Sequence, residues 1–220
     1  MNGATNGEKP MMPKAVFWDM DGTLTDSEPL HEAALVAALR GVGIKPPADL
    51  HERVLGVSAR PVYEMLRDEH GLALPFDEWI VRKYGHYLSL VPTLKPRPGA
   101  VEVFNELRSC GVAQAVVSNS DRLVVDANLR AVGLAYPGIR TVSRNDVREG
   151  KPHPEPFLRA AWLAGIDPGE AVAVDDSWTG VTSALAAGMK TIFWPETPMA
   201  GPAGAAALNS IDELRAELGL

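Results

Sequence analysis

The chain has 220 residues, of which 46% are hydrophobic, and this is enough apolar material for one sizeable core with a small second one. Lysine and arginine total 21 against 28 for aspartate and glutamate, which gives a formal net charge of −7 at pH 7. No run of basic residues is long enough to follow a nucleic-acid backbone, so no nucleic acid is expected as a partner.

The cysteine and hydropathy patterns predict a cytoplasmic protein without a membrane partner. Cys110 is the single cysteine and cannot form a disulfide within the chain, which fits a reducing compartment. No apolar stretch approaches the roughly 20 residues that a membrane-spanning helix needs. Residues 1–13 have no apolar run of the signal-peptide type, so we interpret them as a flexible tail. A monomer is expected, although the sequence leaves an oligomer open.

Five short apolar runs predict strands that are buried on both faces. They are residues 15–18, 113–117, 139–142, 171–174 and 191–194. Helix-sized segments with caps or helix breakers at their ends separate most of them, at 98–110, 121–132, 155–164 and 179–187. Strands that alternate with helices predict an α/β fold with a parallel sheet covered on both faces. Residues 195–207, rich in Pro, Ala and Gly, predict an irregular loop.

A long segment between the first and second predicted strands predicts a helical insertion. Its apolar residues recur at helical spacing around Leu35 and around Val62, and it contains no convincing strand. Turn-forming residues at 26–29 and prolines at 92–98 mark its edges, as a two-stranded linker between domains requires. The predicted division is a tail at 1–13, a core at 14–27 and 96–220, and a helical cap at 28–95.

Pairs of acidic residues follow two of the predicted strands. Asp19 and Asp21 are two positions apart, so in an extended chain their carboxylates would point to one place beyond the strand. Asp175 and Asp176 follow the strand at 171–174, and parallel sheets bind ligands at this edge. Carboxylates of this kind suit Mg²⁺. Each pair by itself also fits a simpler role, as a solvated turn or as a helix N-cap.

Two further segments could bind phosphate. Ser118 and Asn119 lie between a predicted strand and a helix N-terminus, where hydroxyl and backbone N–H groups can hold an anion. Lys151 precedes a proline-rich stretch and could neutralise both a phosphate and a nearby carboxylate. Helix capping for the first segment, and a solvated surface position for Lys151, are the simpler alternatives.

Together and in this order, the four segments resemble the haloacid dehalogenase-like hydrolase superfamily, in particular its subgroup of β-phosphoglucomutases and sugar-phosphate phosphatases. The match spans nearly the whole chain and consists of residues 19–23, Ser118 and Asn119, Lys151 and Pro152, and residues 175–177 with Gly180. The resemblance implies a Rossmann-like core with a helical cap inserted after the first motif.

The same resemblance implies roles for individual residues. Asp19 would attack phosphorus and form an aspartyl phosphate, and Asp21 would act as general acid and base. A Mg²⁺ cofactor would be held by Asp19, the backbone carbonyl of Asp21 and Asp176, with Asp175 acting through water. The phosphoryl group would be held by Ser118, Asn119 and Lys151, of which Lys151 would also assist catalysis by neutralising charge.

Residues of the predicted cap bear on the substrate. By the same resemblance, His31 and Arg60 are candidates for substrate contacts. In mutase-like members an arginine follows the serine of the cap loop directly, whereas here Ala59 separates Ser58 from Arg60. We therefore expect a phosphatase acting on a small phosphorylated metabolite, such as a sugar phosphate, with a phosphomutase as the alternative. Three aromatic residues could line a sugar pocket, although packing inside the cap is their commoner role: Trp79, Tyr84 and Tyr87.

A dehalogenase and a non-enzymatic binding module are both disfavoured. When a halide leaves from carbon, Asp21 and a full set of metal ligands have no purpose. A binding module would have no use for both acidic pairs together with Lys151.

Overall fold

The computed structural model describes residues 11–54 and 57–220, so most of the predicted tail lies outside the described residues. Within these ranges the strands are β1 (Ala15–Trp18), β2 (Thr25–Asp26), β3 (Lys95–Pro96), β4 (Ala113–Val117), β5 (Arg140–Val142), β6 (Ala171–Asp175), β7 (Lys190–Phe193) and β8 (Ala206–Ala207). The helices are α1 (Glu28–Gly41), α2 (Leu50–Val54), α3 (Ala59–His70), α4 (Phe76–Leu90), α5 (Ala100–Ser109), α6 (Arg122–Ala131), α7 (Glu155–Ala164), α8 (Trp178–Ala186) and α9 (Ile211–Glu217).

The main sheet has the strand order β5-β4-β1-β6-β7-β8 in the described part of the chain, and all its strand pairs are parallel. Strand β1 lies inside the sheet, because it pairs with β4 on one side and β6 on the other. All four of its residues are buried, as its continuous apolar sequence requires. The prediction of an α/β fold with a Rossmann-like parallel sheet is confirmed.

Side-chain alternation along β1 divides the core between the two faces of the sheet. Val16 and Trp18 join a cluster with residues of α5, α6 and α9, whereas Ala15 and Phe17 pack with residues of α7 and α8. Trp18 is fully buried, and its indole N–H donates to the side-chain oxygen of Gln114 at 2.9 Å. Burial of this indole therefore leaves no unpaired polar group.

Helices α1–α4 have a hydrophobic cluster of their own, to which each of the four contributes at least one buried residue. Trp79 is 1% exposed and belongs to this cluster, whereas Tyr87 is buried against the core of the main sheet. Strands β2 and β3 pair antiparallel at the two ends of the segment that carries these helices. The boundaries at 28–95 stay a prediction. None of the helices in the described ranges combines the length and apolar character that a membrane crossing requires.

Two parts of the C-terminal region differ from the sequence prediction. The predicted loop at 195–207 ends in β8, because Ala206 and Ala207 pair with β7, although alanine has little strand propensity of its own. Helix α9 follows, and it was not predicted. The Ser210 side chain accepts a hydrogen bond from the backbone N–H of Glu213 and so caps α9, which buries Leu214 in the core.

Candidate active site

The four chemistry-bearing segments meet at one edge of the main sheet. They follow strands β1, β4 and β6 and the connection after β5, and β1, β4 and β6 are immediate neighbours. A cleft of about 1120 Å³ opens there, between this edge and helices of the insertion. Of the predicted site residues, it is lined by Asp19, Asp21, His31, Arg60, Ser118, Asn119, Lys151 and Asp176. Asp175 lies directly beneath and is fully buried.

An acidic cluster occupies the floor of the cleft. Asp19, Asp175 and Asp176 each offer a carboxylate oxygen, and these atoms lie within 4.8 Å of one another. Asp175 is fixed by Ser177, whose backbone N–H and hydroxyl donate to its Oδ1 at 2.9 and 2.8 Å. Asp176 accepts a hydrogen bond from the hydroxyl of Thr23 at 2.7 Å. The carboxylates are therefore positioned by groups from both acidic motifs.

Two glycines allow this close approach. A Cβ atom on Gly180 would lie 1.8 Å from Asp175 Oδ2, and a Cβ atom on Gly22 would lie 2.3 Å from Asp176 Oδ2. Gly22 also has a φ of +84°, which other residues rarely adopt. Any larger residue at either position would displace a carboxylate of the cluster.

The charge of the cluster is only partly balanced by protein groups. Lys151 Nζ donates to Asp19 Oδ1 at 2.5 Å and to Asp175 Oδ2 at 2.7 Å. Burial and the neighbouring carboxylates raise the pKa of Asp19, although Lys151 opposes them. Burial and the charge of Asp175 likewise raise the pKa of Asp176 to about 7. Lys151 thus contacts two of the three carboxylates, and oxygen donors in this number and spacing fit Mg²⁺.

Lys151 itself remains charged in this environment. Burial alone would lower its pKa, but the carboxylates of Asp175 and Asp19 raise it above its ordinary value. Its backbone is held by the side-chain amide of Asn119, which accepts from Lys151 N–H at 2.8 Å and donates to its carbonyl at 3.0 Å. Asn119 therefore holds the loop that carries Lys151.

The carboxylate of Asp21 lines the same cleft and is held by neighbouring hydroxyl groups. It accepts hydrogen bonds from the hydroxyls of Ser27 and Ser120, at 2.6 and 2.7 Å, and a longer one from Ser118 at 3.3 Å. Burial acts to raise its pKa, but the contact with His31 and these hydroxyls hold the pKa at about 2. Asp19 and Asp21 both line the cleft beyond the end of β1, and the expectation that their carboxylates point to one place stays a prediction.

The two predicted cap residues both lie at the cleft but differ in their contacts. His31 Nε2 is 3.3 Å from Asp21 Oδ1, and its ring stacks on Tyr87 with 4.3 Å between ring centroids. Arg60 is exposed, and its guanidinium carbon lies 3.9 Å from the centroid of the Phe76 ring. Their roles in substrate binding stay a prediction.

Three residues of this region were missed by sequence reasoning. Lys83 and Trp178 line the cleft, and burial lowers the pKa of Lys83. Arg97 donates to the carbonyl of Gly22 at 2.8 Å and so ties the end of the helical insertion to the first motif. Trp178 comes two residues after Asp176, so its position in the sequence could have predicted that it lines the cleft. Nothing in the sequence pattern distinguishes Lys83 or Arg97 from surface cations.

The sequence is similar to that of known hydrolases and phosphatases. A family model described as haloacid dehalogenase-like hydrolase matches residues 13–188. The chain is 31% identical over 186 residues to the putative phosphatase YhcW of Bacillus subtilis, and the match covers 84% of each chain. It is also 31% identical over 207 residues to hexitol phosphatase A of Escherichia coli, which covers 92% of this chain and 90% of that relative.

A solved structure shows the same fold. The crystal structure of CbbY from Rhodobacter sphaeroides in complex with phosphate superposes with a TM-score of 0.85, at 27% identity, over 95% of this chain and 100% of that one. Sequence and structure therefore point to one family of enzymes and confirm the resemblance drawn from the four segments. The chain belongs to the haloacid dehalogenase-like hydrolase family.

Proposed function

We propose that the protein is a Mg²⁺-dependent phosphatase that hydrolyses a small phosphate monoester, such as a sugar phosphate, through an aspartyl phosphate on Asp19. The observation that carries the proposal is the grouping of Asp19, Asp175 and Asp176 with Lys151 on the floor of a cleft that has space for an organic leaving group. Two relatives that are named phosphatases, and a similar structure that holds phosphate, support it.

In the proposed first step, a carboxylate oxygen of Asp19 forms a bond to phosphorus while the ester P–O bond breaks. Among the described residues, only Lys151 donates a hydrogen bond to the Asp19 carboxylate, and that bond goes to Oδ1, so Oδ2 is available for attack. Lys151 offsets charge on the nucleophile and on the phosphoryl oxygens. By the family resemblance, Ser118 and Asn119, which line the cleft, would hold the phosphoryl group and restrict its orientation.

A bound Mg²⁺ would supply charge neutralisation for the phosphoryl oxygens and for the acidic cluster. By the family resemblance, Asp19, the backbone carbonyl of Asp21 and Asp176 would hold it, with Asp175 acting through water. The raised pKa values of Asp19 and Asp176 support this assignment, because a cation favours the ionised form of both carboxyl groups.

Asp21 is the proposed acid and base. With a pKa of about 2 it is ionised at neutral pH, which suits a base that takes a proton from water during hydrolysis of the aspartyl phosphate. To protonate the leaving alcohol it must first take up a proton, which the hydroxyls of Ser27 and Ser120 oppose. Its acid role therefore requires that some of these hydrogen bonds open.

A phosphomutase is the weaker alternative. A mutase must hold a second phosphate at a distance from the reacting one, and Arg60 is the cleft-lining arginine of the predicted cap that could do so. Its guanidinium is already stacked on Phe76, and the two curated relatives described above are named phosphatases. Transfer to water is therefore favoured over transfer to a second sugar.

The test is release of inorganic phosphate from a panel of sugar phosphates, phosphoglycolate and nucleotides, with Mg²⁺ and with a chelator. We expect release that depends on Mg²⁺, and a loss of at least about a hundredfold in Asp19→Asn with the fold intact. Asp212→Asn on the exposed start of α9 is the matched control and should keep full activity. Release that is unaffected by the chelator or by Asp19→Asn contradicts the proposal.

A further inference from the structure

Trp178 is an aromatic side chain placed directly beside the acidic cluster. It is the first residue of α8, two positions after Asp176, and 53% of its surface is exposed. Exposure alone does not indicate a role, because Trp162 on α7 is 73% exposed. The difference is position, since Trp178 lines the cleft that contains Asp19 and Trp162 does not.

The backbone around Trp178 is held firmly against the cluster. Ser177 donates its hydroxyl to Asp175 Oδ1 at 2.8 Å and accepts from the backbone N–H of Gly180 at 3.0 Å. These hydrogen bonds fix the backbone on both sides of Trp178. Trp178 therefore stays at a constant place relative to Asp175 and Asp176, whatever the position of helices α1–α4.

The indole has no partner that explains its position. In the described ranges it forms no aromatic pair, and its N–H donates to no protein acceptor. By contrast, Trp18 is buried and hydrogen-bonded, and Trp79 and Trp194 are buried, at 1% and 3% exposed. An apolar face and a free N–H donor are therefore presented to whatever fills the cleft.

The rest of the cleft suits a polar ring. A cavity of about 1120 Å³ is far larger than a phosphoryl group needs, so most of it is available to the leaving group. Carboxylates of Glu28, Glu32 and Glu196 line it and can accept hydrogen bonds from hydroxyl groups. A sugar ring combines a face of C–H groups, which packs on an aromatic plane, with hydroxyls around its rim.

We propose that Trp178 is the surface on which the ring of the leaving group stacks, so that the preferred substrates are phosphate monoesters of cyclic sugars. The proposal rests on the proposed phosphatase function and adds to it the substrate class and the residue that selects it. Two of the three aromatic residues considered from the sequence, Trp79 and Tyr87, are buried and cannot serve this purpose.

The kinetic test compares three esters of a primary alcohol: glucose 6-phosphate, sorbitol 6-phosphate with the same carbon count and no ring, and glycerol 3-phosphate. In Trp178→Ala, the ratio of kcat/KM for glucose 6-phosphate to that for each acyclic ester should fall about tenfold, mainly through KM. Trp178→Phe should keep the ratio within about twofold of wild type, because a ring remains. Equal changes for all three esters in Trp178→Ala overturn the proposal.

A binding measurement does not depend on turnover. In a Trp162→Phe, Asp19→Asn protein with Mg²⁺, glucose 6-phosphate should protect Trp178 from acrylamide quenching, and glycerol 3-phosphate should protect it less. The matched Trp178→Phe, Asp19→Asn protein retains Trp162 and should show no protection. Lack of protection in the first protein overturns the proposal. If the wild type releases no phosphate from any ester, the proposed function fails, and quenching alone then decides the role of Trp178.

Discussion

At the scale of single residues, the carboxyl group of Asp176 links the proposed metal binding to stability. Its pKa is about 7 in the folded chain without a cation, against an ordinary value of 3.8. Between these two pH values the folded protein holds a proton that the unfolded chain has released, so this group makes stability fall as pH rises. Above pH 7 the ionised carboxylate lowers the free energy of unfolding, and a bound cation would offset this loss.

We therefore expect metal-free wild type to lose thermal stability relative to Asp176→Asn as pH rises from about 5 to about 8, by roughly 3–8 °C in Tm. Mg²⁺ should restore the Tm of wild type at the higher pH, but not raise that of the variant to the same extent. The measurement is thermal unfolding with a chelator and with Mg²⁺. Parallel Tm curves for the two proteins contradict the account.

Lys151 gives a second test at this scale. Lys151→Met removes the cation between Asp19 and Asp175, and loss of one partner from a buried ion pair typically costs about 3–5 kcal/mol. Phosphate release should fall by about a hundredfold or more, since Asp19, the proposed nucleophile, loses its charge partner. Urea unfolding and initial rates measure the two effects.

Lys190→Met is the matched control for this change. Lys190 pairs with Glu217 at 2.7 Å, but its side chain is 54% exposed. Exposed pairs contribute about 0–1 kcal/mol, so stability should change little and activity not at all. Similar losses in both variants would mean that Lys151 acts only as a general contributor to stability.

At the scale of secondary-structure elements, Gly180 sets how closely α8 packs on the acidic cluster. Gly180→Ala should push Asp175 away from Lys151 and Ser177, and so reduce both stability and Mg²⁺-dependent activity. The expected loss of stability is about 1–3 kcal/mol, as for other overpacked sites, and urea unfolding with rate measurements checks it.

Gly85→Ala is the control for a helical glycine. Gly85 lies within α4 and has no heavy atom within 4 Å of the place that a Cβ would take. Alanine should therefore stabilise the protein by about 0.5–1 kcal/mol through helix propensity, without changing kcat/KM. If the two variants change stability in the same direction, packing against Asp175 is not what requires glycine at position 180.

A comparison of the strands shows which sequence patterns are sufficient to predict a strand and its ends. Strands β1 and β4 have the predicted ends, because each is a short apolar run that is buried on both faces. Strand β8 was missed because its pairing with β7, and not its own composition, makes it a strand. The hydrogen-bond partners of Asp21, which include Ser27 and Ser120, could not be predicted from period-two alternation, because that rule applies only while the chain is extended.

At the scale of the whole molecule, helices α1 and α4 contact the core at the edge that carries the candidate active site. His31 on α1 contacts Asp21, and Tyr87 on α4 donates its hydroxyl to Asn128 Oδ1 at 2.9 Å. The amide of Asn128 in turn lies 3.3 Å from Asp21 Oδ1. The helical insertion is therefore connected to the proposed acid and base through buried polar groups. These contacts join residues that are far apart in the sequence, so the motifs and their order did not predict them.

Tyr87→Phe tests this connection. It leaves the Asn128 oxygen without its donor in a buried site, at a cost of about 1–3 kcal/mol. Since Asn128 contacts Asp21, we also expect a lower kcat and a shifted pH profile. Urea unfolding and pH–rate measurements detect the two effects.

Tyr63→Phe provides the comparison inside the insertion. The Tyr63 hydroxyl donates to the carbonyl of Leu74, and both residues belong to the cluster of helices α1–α4 or pack against it. This variant should lose stability without a change in the pH–rate profile. A pH profile that is unchanged in Tyr87→Phe would mean that the contact only supports packing.

The central claim is that Asp19 carries the phosphoryl group during turnover. The most direct measurement is acid quenching of the wild-type protein during steady-state hydrolysis of its best ester with Mg²⁺, followed by mass spectrometry of its peptides. We expect one added phosphoryl group on the peptide that contains Asp19, and none in Asp19→Asn. A phosphoryl group on any other side chain, or undiminished turnover in Asp19→Asn, would contradict the mechanism.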